Sequence, residues 1–353
     1  MIDLDAVIRR VDSELAAFFD SRAARLALLG DDLAPLAATA RSFVLDGGKR
    51  LRPMFAYCGW RCVGRGQSDD AMVTAAASLE LLHGCALTHD DVMDGSSTRR
   101  GRPSVHTAFR AMHAKGGFTG DPGVFGTAAA IVVGDLLLSW ADAMFADAGF
   151  DAASSARARY VYDDMRQQVM AGQYLDVLVQ ARGAFSADDA LRVAKYKTSK
   201  YTVEGPLQFG AAAAGAPPDV VDAIRAYGLP LGEAFQLRDD VLGVFGNPDR
   251  TGKPSGDDLR EGKQTMLVAL AMDEADDAQA ALLRSGLGDR ALDDEGVAAI
   301  CEVIVATGAL ARVEARISER TKEARAALAA SRIATDARDV LDMLAVAATE
   351  RHT

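Results

Sequence analysis

The chain has 353 residues, of which 49% are hydrophobic and only 6% aromatic, and its net charge is −11 at pH 7. This length is ample for a large core, and abundant Ala and Leu with few aromatics favour helices packed on helices. Because the net charge is strongly negative and no basic stripe is present, we do not expect a nucleic-acid partner.

Apolar residues recur at three- and four-residue spacing along nearly the whole sequence, whereas strand-like alternation is missing. In chain order, this spacing predicts helices over residues 3–29, 31–46, 50–64, 70–94, 104–113, 126–147, 152–181, 187–215, 217–245, 264–274, 276–284, 294–305, 307–329 and 335–350. Residues 115–126 and 246–263 are predicted loops, because they are rich in glycine or in polar side chains. No Ser-, Pro- or Gly-rich spacer divides the chain, so we predict one all-α domain over residues 1–353, with roughly a dozen helices.

Two segments of the sequence, the N-terminus and the most apolar run, lead us to predict a cytoplasmic protein. Residues 1–19 are acidic and amphipathic, unlike a signal peptide. The run "GTAAAIVVGDLLLSWADAMF" is broken by Asp135 and Asp142, so we expect a buried helix and no transmembrane segment. The four cysteines form no CxxC pair, which fits reduced thiols.

The first acidic cluster lies in "THDDVMDGSSTRRGRPSVH", residues 88–106. On a helix, Asp90 and Asp94 share a face one turn apart, with Asp91 beside them. Carboxylates at this spacing repel each other unless a cation lies between them, and oxygen-only ligands suit Mg²⁺. A solvated helix end is the alternative interpretation.

A second pair of carboxylates argues against that alternative. Asp239 and Asp240 also end an apolar helical segment, "AIRAYGLPLGEAFQLRDD". Mg²⁺ prefers a few carboxylates together with substrate phosphates over a full protein cage. The two clusters therefore predict a bound diphosphate rather than a free metal ion.

Basic side chains accompany the acidic clusters. They occur in four short patches: Arg99 and Arg100; Lys49, Arg50 and Arg52; Lys195, Lys197 and Lys200; Lys253 and Lys263. Arginine binds phosphate through two parallel hydrogen bonds, and lysine supplies a mobile point charge. Each patch alone fits a solvated loop, but together they predict two phosphate sites, one reached through Mg²⁺ and one contacted directly.

The motifs together resemble the trans-isoprenyl diphosphate synthase, or polyprenyl synthetase, family, and most of all its geranylgeranyl diphosphate synthases. The similar elements, in the family's order from residue 47 to 263, are "GGKRLRP", "HDDVMDGSSTRRGRPSVH", "MAGQYLD", "KTSKYT", "FQLRDDVLG" and "GKPSGDDLREGK". The resemblance implies an isoprenoid synthase bundle around a deep central cavity, a homodimer, and about three Mg²⁺ ions per active site. It also implies two substrates: isopentenyl diphosphate and an allylic diphosphate, namely dimethylallyl, geranyl or farnesyl diphosphate.

The resemblance assigns roles to individual residues. It implies that Asp90, Asp94 and Asp239 bind Mg²⁺ bridging the allylic diphosphate, supported by Asp91 and Asp240. The remaining implied roles concern substrate contacts: Arg99, Lys197 and Lys253 at the allylic diphosphate; Lys49, Arg52, His83 and Arg100 at isopentenyl diphosphate; Thr198 and Gln236 near the developing carbocation; Gln173 and Asp176 in the "GQxxD" element; and Lys263 in substrate binding.

The implied reaction needs no side-chain nucleophile. The allylic C–O bond ionises, the alkene of isopentenyl diphosphate attacks the cation, and a proton leaves to the released diphosphate. One departure from the family is Gly243, where the second motif often has a third Asp, so we expect one metal ligand fewer.

Three alternative functions stay open at this point. A terpene cyclase would share the first motif but would not need "GGKRLRP". A non-catalytic subunit of a heteromeric synthase would be expected to have lost part of the first cluster or the arginine pair, and both are intact. A di-iron bundle would need a second Glu-x-x-His besides "ELLH", which is absent.

The length of the product is predicted from the helix that carries Asp90. The hydrocarbon tail of an allylic substrate whose diphosphate is bound at Asp90 would run along this helix. Each helical turn rises about 5.4 Å, which is on the order of the length of one isoprene unit. Ala86 and Cys85 lie one turn below and are small, with Leu82 a further turn down. Family members that make farnesyl diphosphate tend to have an aromatic residue there. We therefore predict geranylgeranyl diphosphate, with a longer polyprenyl diphosphate as the alternative.

Overall fold

The computed structural model describes residues 2–64, 69–183, 185–246 and 255–349, and these are overwhelmingly helical. The first elements in chain order are α1 (Leu4–Ala27), a 3₁₀ turn (Asp31–Leu33), α2 (Ala34–Leu45), α3 (Leu51–Arg61), α4 (Asp70–Met93), β1 (Thr98–Arg99), β2 (Arg102–Pro103), α5 (Val105–Gly116), α6 (Pro122–Ala146) and α7 (Ala152–Arg182). They continue with α8 (Ala187–Ala194), a π-helical segment (Lys195–Glu204), α9 (Gly205–Ala214), α10 (Pro218–Phe245), α11 (Asp257–Arg260), α12 (Met266–Glu274), α13 (Asp277–Gly286), α14 (Asp294–Ala306), α15 (Ala309–Ala329) and α16 (Thr335–Thr349). The predicted all-α class is confirmed.

The chain divides into two compact units. The first unit comprises Met1–Arg159 and Phe209–Ala216, and the second comprises Tyr160–Gln208 and Pro217–Thr353. The single domain over residues 1–353 and its central cavity stay predictions.

Several predicted boundaries differ from the structure. α6 begins at Pro122, four residues before the predicted start, because Asp121 caps it by accepting hydrogen bonds from the backbone N of Gly123 (2.7 Å) and Val124 (2.9 Å). The single helix predicted over residues 187–215 consists of α8, the π-helical segment and α9. The short hairpin of β1 and β2 was not predicted, and the predicted loop 246–263 contains α11.

The first unit is organised around α4, which packs against α6, α3 and α1. An ion pair crosses this core between Glu80 of α4 and Arg50, which precedes α3 and is only 4% exposed. The Arg50 guanidinium donates to Glu80 Oε2 (3.0 Å), to the Val44 carbonyl (2.9 Å) and to Asp12 Oδ1 (2.7 Å). Arg50 is therefore a structural residue that joins α1, α2 and α4.

Glu80→Ala should destabilise the protein strongly. It would leave Arg50 buried without its main counter-charge, and breaking a buried pair in this way typically costs about 3–5 kcal/mol of unfolding free energy. Asp12→Ala is the matched control, since the Asp12 side chain is 45% exposed and such a contact is worth about 1 kcal/mol or less. Denaturant unfolding of both variants measures the difference, and equal losses would contradict a structural role for the pair.

The second unit is organised around α10, which packs against α15 and the π-helical segment. Its Tyr227 hydroxyl donates to the Leu341 carbonyl of α16 at 2.7 Å. Further along α10, Arg238 donates to both carboxylate oxygens of Glu314 at 2.6 and 2.7 Å. The contacts of Arg238 hold the C-terminal turns of α10, which carry the second acidic motif.

By length and composition alone, α4 and α6 could cross a membrane, and the bent pair α14–α15 would add a third span if it acted as one. Most of the apolar window of α4 is buried, at 72%, but only 39% of that of α6. The absence of a transmembrane segment therefore stays a prediction.

Candidate active site

The first acidic motif occupies the last turn of α4. Asp91 is fully buried and accepts a hydrogen bond from Arg99 Nε at 2.8 Å, with a second contact from Arg99 Nη2. Arg99 Nη2 also lies 3.5 Å from Asp90 Oδ2. The hairpin strand β1 thus ties Asp91 down, while Asp90 and Asp94 remain partly exposed on one face of the helix.

The environment of Asp90 and Asp94 fits a divalent cation. Both lie at the C-terminal end of α4, where the helix dipole is negative and disfavours carboxylates, so a bound cation would relieve the repulsion. Within the part of the chain that the structure describes, no three acidic, His or Cys side chains form a closed metal cage. An open pair of carboxylates matches Mg²⁺, which keeps waters and takes further ligands from phosphates.

The predicted direct-contact residues lie close together in the first unit. The Arg100 guanidinium donates to the Gly47 carbonyl at 3.0 Å, which brings the arginine pair against "GGKRLRP". A side chain at Gly48 would reach to 3.2 Å from Arg100 Nη2, and its φ of +109° also favours glycine. Lys49 is exposed on the same turn.

His83 lies on α4 within the electrostatic reach of these cations. Burial and the positive charges of Arg52, Arg100, Arg99 and Arg50 lower the pKa of His83 well below its usual range. The imidazole is therefore neutral at pH 7, able to donate one hydrogen bond and accept another. Arg52 and Arg100 lie within electrostatic reach of His83, and the predicted roles of Lys49, Arg52, His83 and Arg100 at isopentenyl diphosphate stay predictions.

In the second unit, Lys197 and Asp176 form a close ion pair. Lys197 Nζ donates to Asp176 Oδ2 at 2.6 Å, so "KTSKYT" and "GQxxD" meet. The contact depends on Gly172 of α7, because a Cβ there would lie 2.5 Å from the Lys197 backbone N. Lys197 belongs to the π-helical segment, and such segments frequently occur at functional sites. Thr198 and Gln173 lie on the same two elements, and their predicted roles stay predictions.

The second acidic motif pairs one buried and one partly exposed carboxylate. Asp240 is 8% exposed and accepts a hydrogen bond from Gln236 Nε2 at 2.6 Å. Burial, aided by the negative charges of Asp258 and Asp239, raises the pKa of Asp240 to about 7, against the opposing effects of Gln236 and Lys263. Asp239 is partly exposed and Asp240 is buried, and their predicted roles as metal ligand and supporting residue stay predictions.

Two lysines that follow the second acidic motif, Lys253 and Lys263, were predicted to bind substrate. Lys263 Nζ contacts Asp258 Oδ1 at 2.6 Å and Glu261 Oε2 at 3.1 Å. Although burial opposes it, the negative charges of these two carboxylates raise the pKa of Lys263 well above its usual range. Its predicted role in substrate binding stays a prediction, and Lys253 lies outside the described residues.

The three predicted chain-length residues differ in their surroundings. Ala86 is partly exposed on the Asp90 face of α4, while Leu82 and Cys85 are buried. Cys85 Sγ lies 3.8 Å from His89 Nδ1, and burial with the negative charge of Asp135 on α6 raises the pKa of the Cys85 thiol to about 12. Cys85 therefore faces α6, and Ala86 is the more direct candidate for a tunnel wall.

Sequence reasoning left one residue of this region unassigned. Asp258 lies in the quoted motif "GKPSGDDLREGK", but its sequence context does not distinguish it from the neighbouring Asp257. The structure does, because Asp258 is buried beside the second acidic motif.

Comparisons with known proteins agree with this arrangement. The family model described as polyprenyl synthetase matches residues 34–304. A crystal structure of geranylgeranyl pyrophosphate synthase from Corynebacterium glutamicum, complexed with isoprenyl diphosphate and magnesium, is 42% identical. It covers 99% of this chain and 100% of its own, with a TM-score of 0.96.

Two curated relatives have products of different length. Geranylfarnesyl diphosphate synthase of Aeropyrum pernix is 33% identical over 82% of this chain and 86% of its own. Geranylgeranyl diphosphate synthase of Saccharolobus solfataricus is 33% identical over 73% of each chain. The fold, the motifs and these matches agree, and the chain belongs to the polyprenyl synthetase family of trans-prenyltransferases.

Proposed function

We propose that this prenyltransferase condenses isopentenyl diphosphate with an allylic diphosphate to make mainly geranylgeranyl diphosphate. We base the proposed product length on Ala86, which has a small side chain and lies on the same face of α4 as Asp90. The names of the Corynebacterium and Saccharolobus relatives support the same product. A longer product is the second candidate, favoured by the name of the Aeropyrum relative.

The proposed cofactor is Mg²⁺, with about three ions per active site. Its proposed ligands are Asp90, Asp94 and Asp239, as the resemblance implies. When bound, Mg²⁺ neutralises charge on the allylic diphosphate as the C–O bond ionises. The magnesium in the related crystal structure supports Mg²⁺ as the cofactor.

The chain's own residues bind and orient both substrates in this proposal. Arg99 holds Asp91 in place and contacts the allylic diphosphate, together with Lys197 and Lys253. Isopentenyl diphosphate is bound, and its alkene directed to the cation, by the basic patch of Arg52, Arg100, Lys49 and neutral His83. The oxygens of Thr198 and Gln236 stabilise the allylic cation. Attack by the alkene forms the new C–C bond and a second cation on the isopentenyl unit, which loses a proton to the released diphosphate.

Product analysis tests the proposed function. The purified chain is incubated with labelled isopentenyl diphosphate, Mg²⁺ and each allylic primer in turn: dimethylallyl, geranyl or farnesyl diphosphate. The expected main product is geranylgeranyl diphosphate. Hydrocarbon formed from geranylgeranyl diphosphate alone would indicate a cyclase, and no turnover by the pure chain would indicate a subunit of a heteromeric synthase.

Arg52→Ala should weaken isopentenyl diphosphate binding more than primer binding. A hydrogen bond to a charged group contributes about 1.5–3 kcal/mol, so we expect roughly a 10- to 100-fold rise in the KM for isopentenyl diphosphate. Arg102→Ala is the control, because its side chain is 63% exposed and pairs with Asp46. Steady-state kinetics with each substrate varied measures the effect, and equal loss for both substrates would argue against two separate sites.

The same proposal includes a cytoplasmic homodimer. α6 carries exposed apolar side chains at helical spacing, Val124, Ile131 and Val132, at 70%, 45% and 53% exposure. A contiguous exposed apolar face favours burial against another surface, and a second copy is the proposed partner. Sedimentation equilibrium tests this, and a monomer at micromolar concentration would rule it out.

A further inference from the structure

A cavity of about 620 Å³ lies within the second unit. Its walls come from α8, the π-helical segment, α10 and α15. The volume is in the range of small-molecule sites, about 300–1,000 Å³. The resemblance gives no role to any residue that lines it, including Lys195, which belongs to one of the basic patches of the sequence. The cavity is therefore not explained by the reaction.

Three exposed basic side chains line the cavity, and we call them the rim cations: Arg192, Lys195 and Arg225. Arg192 and Lys195 are three residues apart, so they share a helical face. Among the described residues, neither forms an ion pair with a carboxylate. Arg225 Nη1 lies 3.6 Å from Asp222 Oδ1, and both side chains are more than half exposed, so this contact is weak. The rim cations can thus bind an anion.

The two acidic residues that line the cavity are already paired. Glu233 Oε1 accepts a hydrogen bond from Arg316 Nε at 2.5 Å and lies 3.6 Å from Arg320 Nε. Arg320 Nη1 donates to Glu323 Oε2 at 2.5 Å. These two carboxylates and two guanidinium groups cancel, so the rim cations give the cavity a local positive charge on a chain whose net charge is −11.

The remaining lining is mostly apolar, and we call it the floor: Leu191, Tyr196, Leu229, Pro230 and Ala327. Arginine binds phosphate oxygens through two parallel hydrogen bonds, and lysine adds a point charge. A free phosphate ion would use the rim cations but leave the floor in contact with water. A phosphate ester with an apolar group would use both surfaces, because apolar area removed from water is stabilising.

We propose that this cavity is a second binding site for a prenyl phosphate, separate from the site of reaction. The rim cations bind the phosphate directly, without Mg²⁺, and the prenyl group packs on the floor. The choice of a prenyl group rests on the proposed function, in which such esters are the substrates and products of this chain. The competing explanation is that the rim cations are only solvated.

Calorimetry with geranyl monophosphate as the probe tests the site. EDTA removes the Mg²⁺ that allylic binding is proposed to need, and saturating isopentenyl diphosphate fills its own proposed site. Arg192→Gln with Arg225→Gln removes two rim cations. Arg284→Gln with Arg332→Gln is the matched control, because both arginines are exposed in the same unit and outside the cavity.

A second pair of variants tests the floor and leaves every charge in place. Ala327→Phe puts a ring into the cavity from α15. Ala326→Phe is its matched control, since Ala326 is the exposed neighbour and does not line the cavity. This pair also decides the question if the double arginine variant does not fold, which the Tm of each variant reports.

Geranyl monophosphate should bind the wild-type chain at one site in EDTA. Loss of the two arginines should weaken it about 10- to 100-fold, Ala327→Phe should also weaken it, and both controls should bind as the wild type does. AMP and inorganic phosphate should bind more weakly than geranyl monophosphate, because neither has an aliphatic group for the floor. No saturable binding to the wild type, equal weakening in the controls, or AMP binding as tightly would overturn the inference.

The binding measurement is independent of turnover, so the two proposals can fail separately. If the chain makes prenyl diphosphates but geranyl monophosphate does not bind in EDTA, the second site is wrong. If geranyl monophosphate binds with the expected variant pattern but no prenyl diphosphate is made, the second site stands and the proposed function fails.

Discussion

Asp90→Asn is expected to lower kcat/KM by about 10²-fold or more, even at saturating Mg²⁺. Loss of one preorganised charge partner where transition-state charge develops typically has an effect of this size. The fold should survive, because the Asp90 side chain is partly exposed and its contact with Arg99 is a long one, at 3.5 Å. Initial rates over a Mg²⁺ series and the Tm of the variant measure both effects.

Two other substitutions serve as references for Asp90. Asp147→Asn, at a side chain that is 74% exposed, should leave activity unchanged. Asp91→Asn should lower both activity and Tm, because Asp91 is fully buried against Arg99. Wild-type rates for Asp90→Asn at saturating Mg²⁺ would remove Asp90 from the site.

Ala86→Phe is expected to shorten the main product from geranylgeranyl to farnesyl diphosphate. Ala86 lies one turn, about 5.4 Å, below Asp90 on the same face of α4. A phenylalanine ring in the path of the growing tail would stop elongation roughly one isoprene unit earlier. Chromatography of the dephosphorylated products, with geranyl diphosphate as the primer, measures the shift.

Cys85→Phe provides the comparison for Ala86→Phe. It should shorten the product as well, but with lower stability, because Cys85 is 5% exposed and faces α6. Overpacking such a site costs about 1–3 kcal/mol. If both variants keep the wild-type product length, the hydrocarbon tail does not run along this face of α4.

The helices were largely predictable because their apolar spacing is local information. The predicted helix 70–94 corresponds to Asp70–Met93, and 217–245 to Pro218–Phe245. The π-helical segment was not predictable in the same way. The segment packs closely against glycines that are distant in the sequence, such as Gly172 and Gly232, where a Cβ would lie within 2.7 Å of the segment's backbone.

The sequence does not reveal how the side chains of its motifs are held. Arg50 and Arg52 belong to one motif, and only the fold shows that Arg50 is buried with Glu80, 30 residues away. Gly243 was predicted to mean a missing ligand. The structure shows the Asp258 carboxylate in that space, a contact between positions 15 residues apart that periodicity does not reveal.

The central claim is that one diphosphate binds through Mg²⁺ and the other through Arg, Lys and His side chains. Calorimetric titration of farnesyl thiolodiphosphate and of isopentenyl diphosphate, each with Mg²⁺ and with EDTA, tests it most directly. We expect EDTA to abolish binding of farnesyl thiolodiphosphate, an unreactive allylic analogue. The Kd for isopentenyl diphosphate should change by no more than about threefold, a binding free-energy change of about RT ln 3. Loss of both ligands in EDTA, or of neither, would contradict the claim.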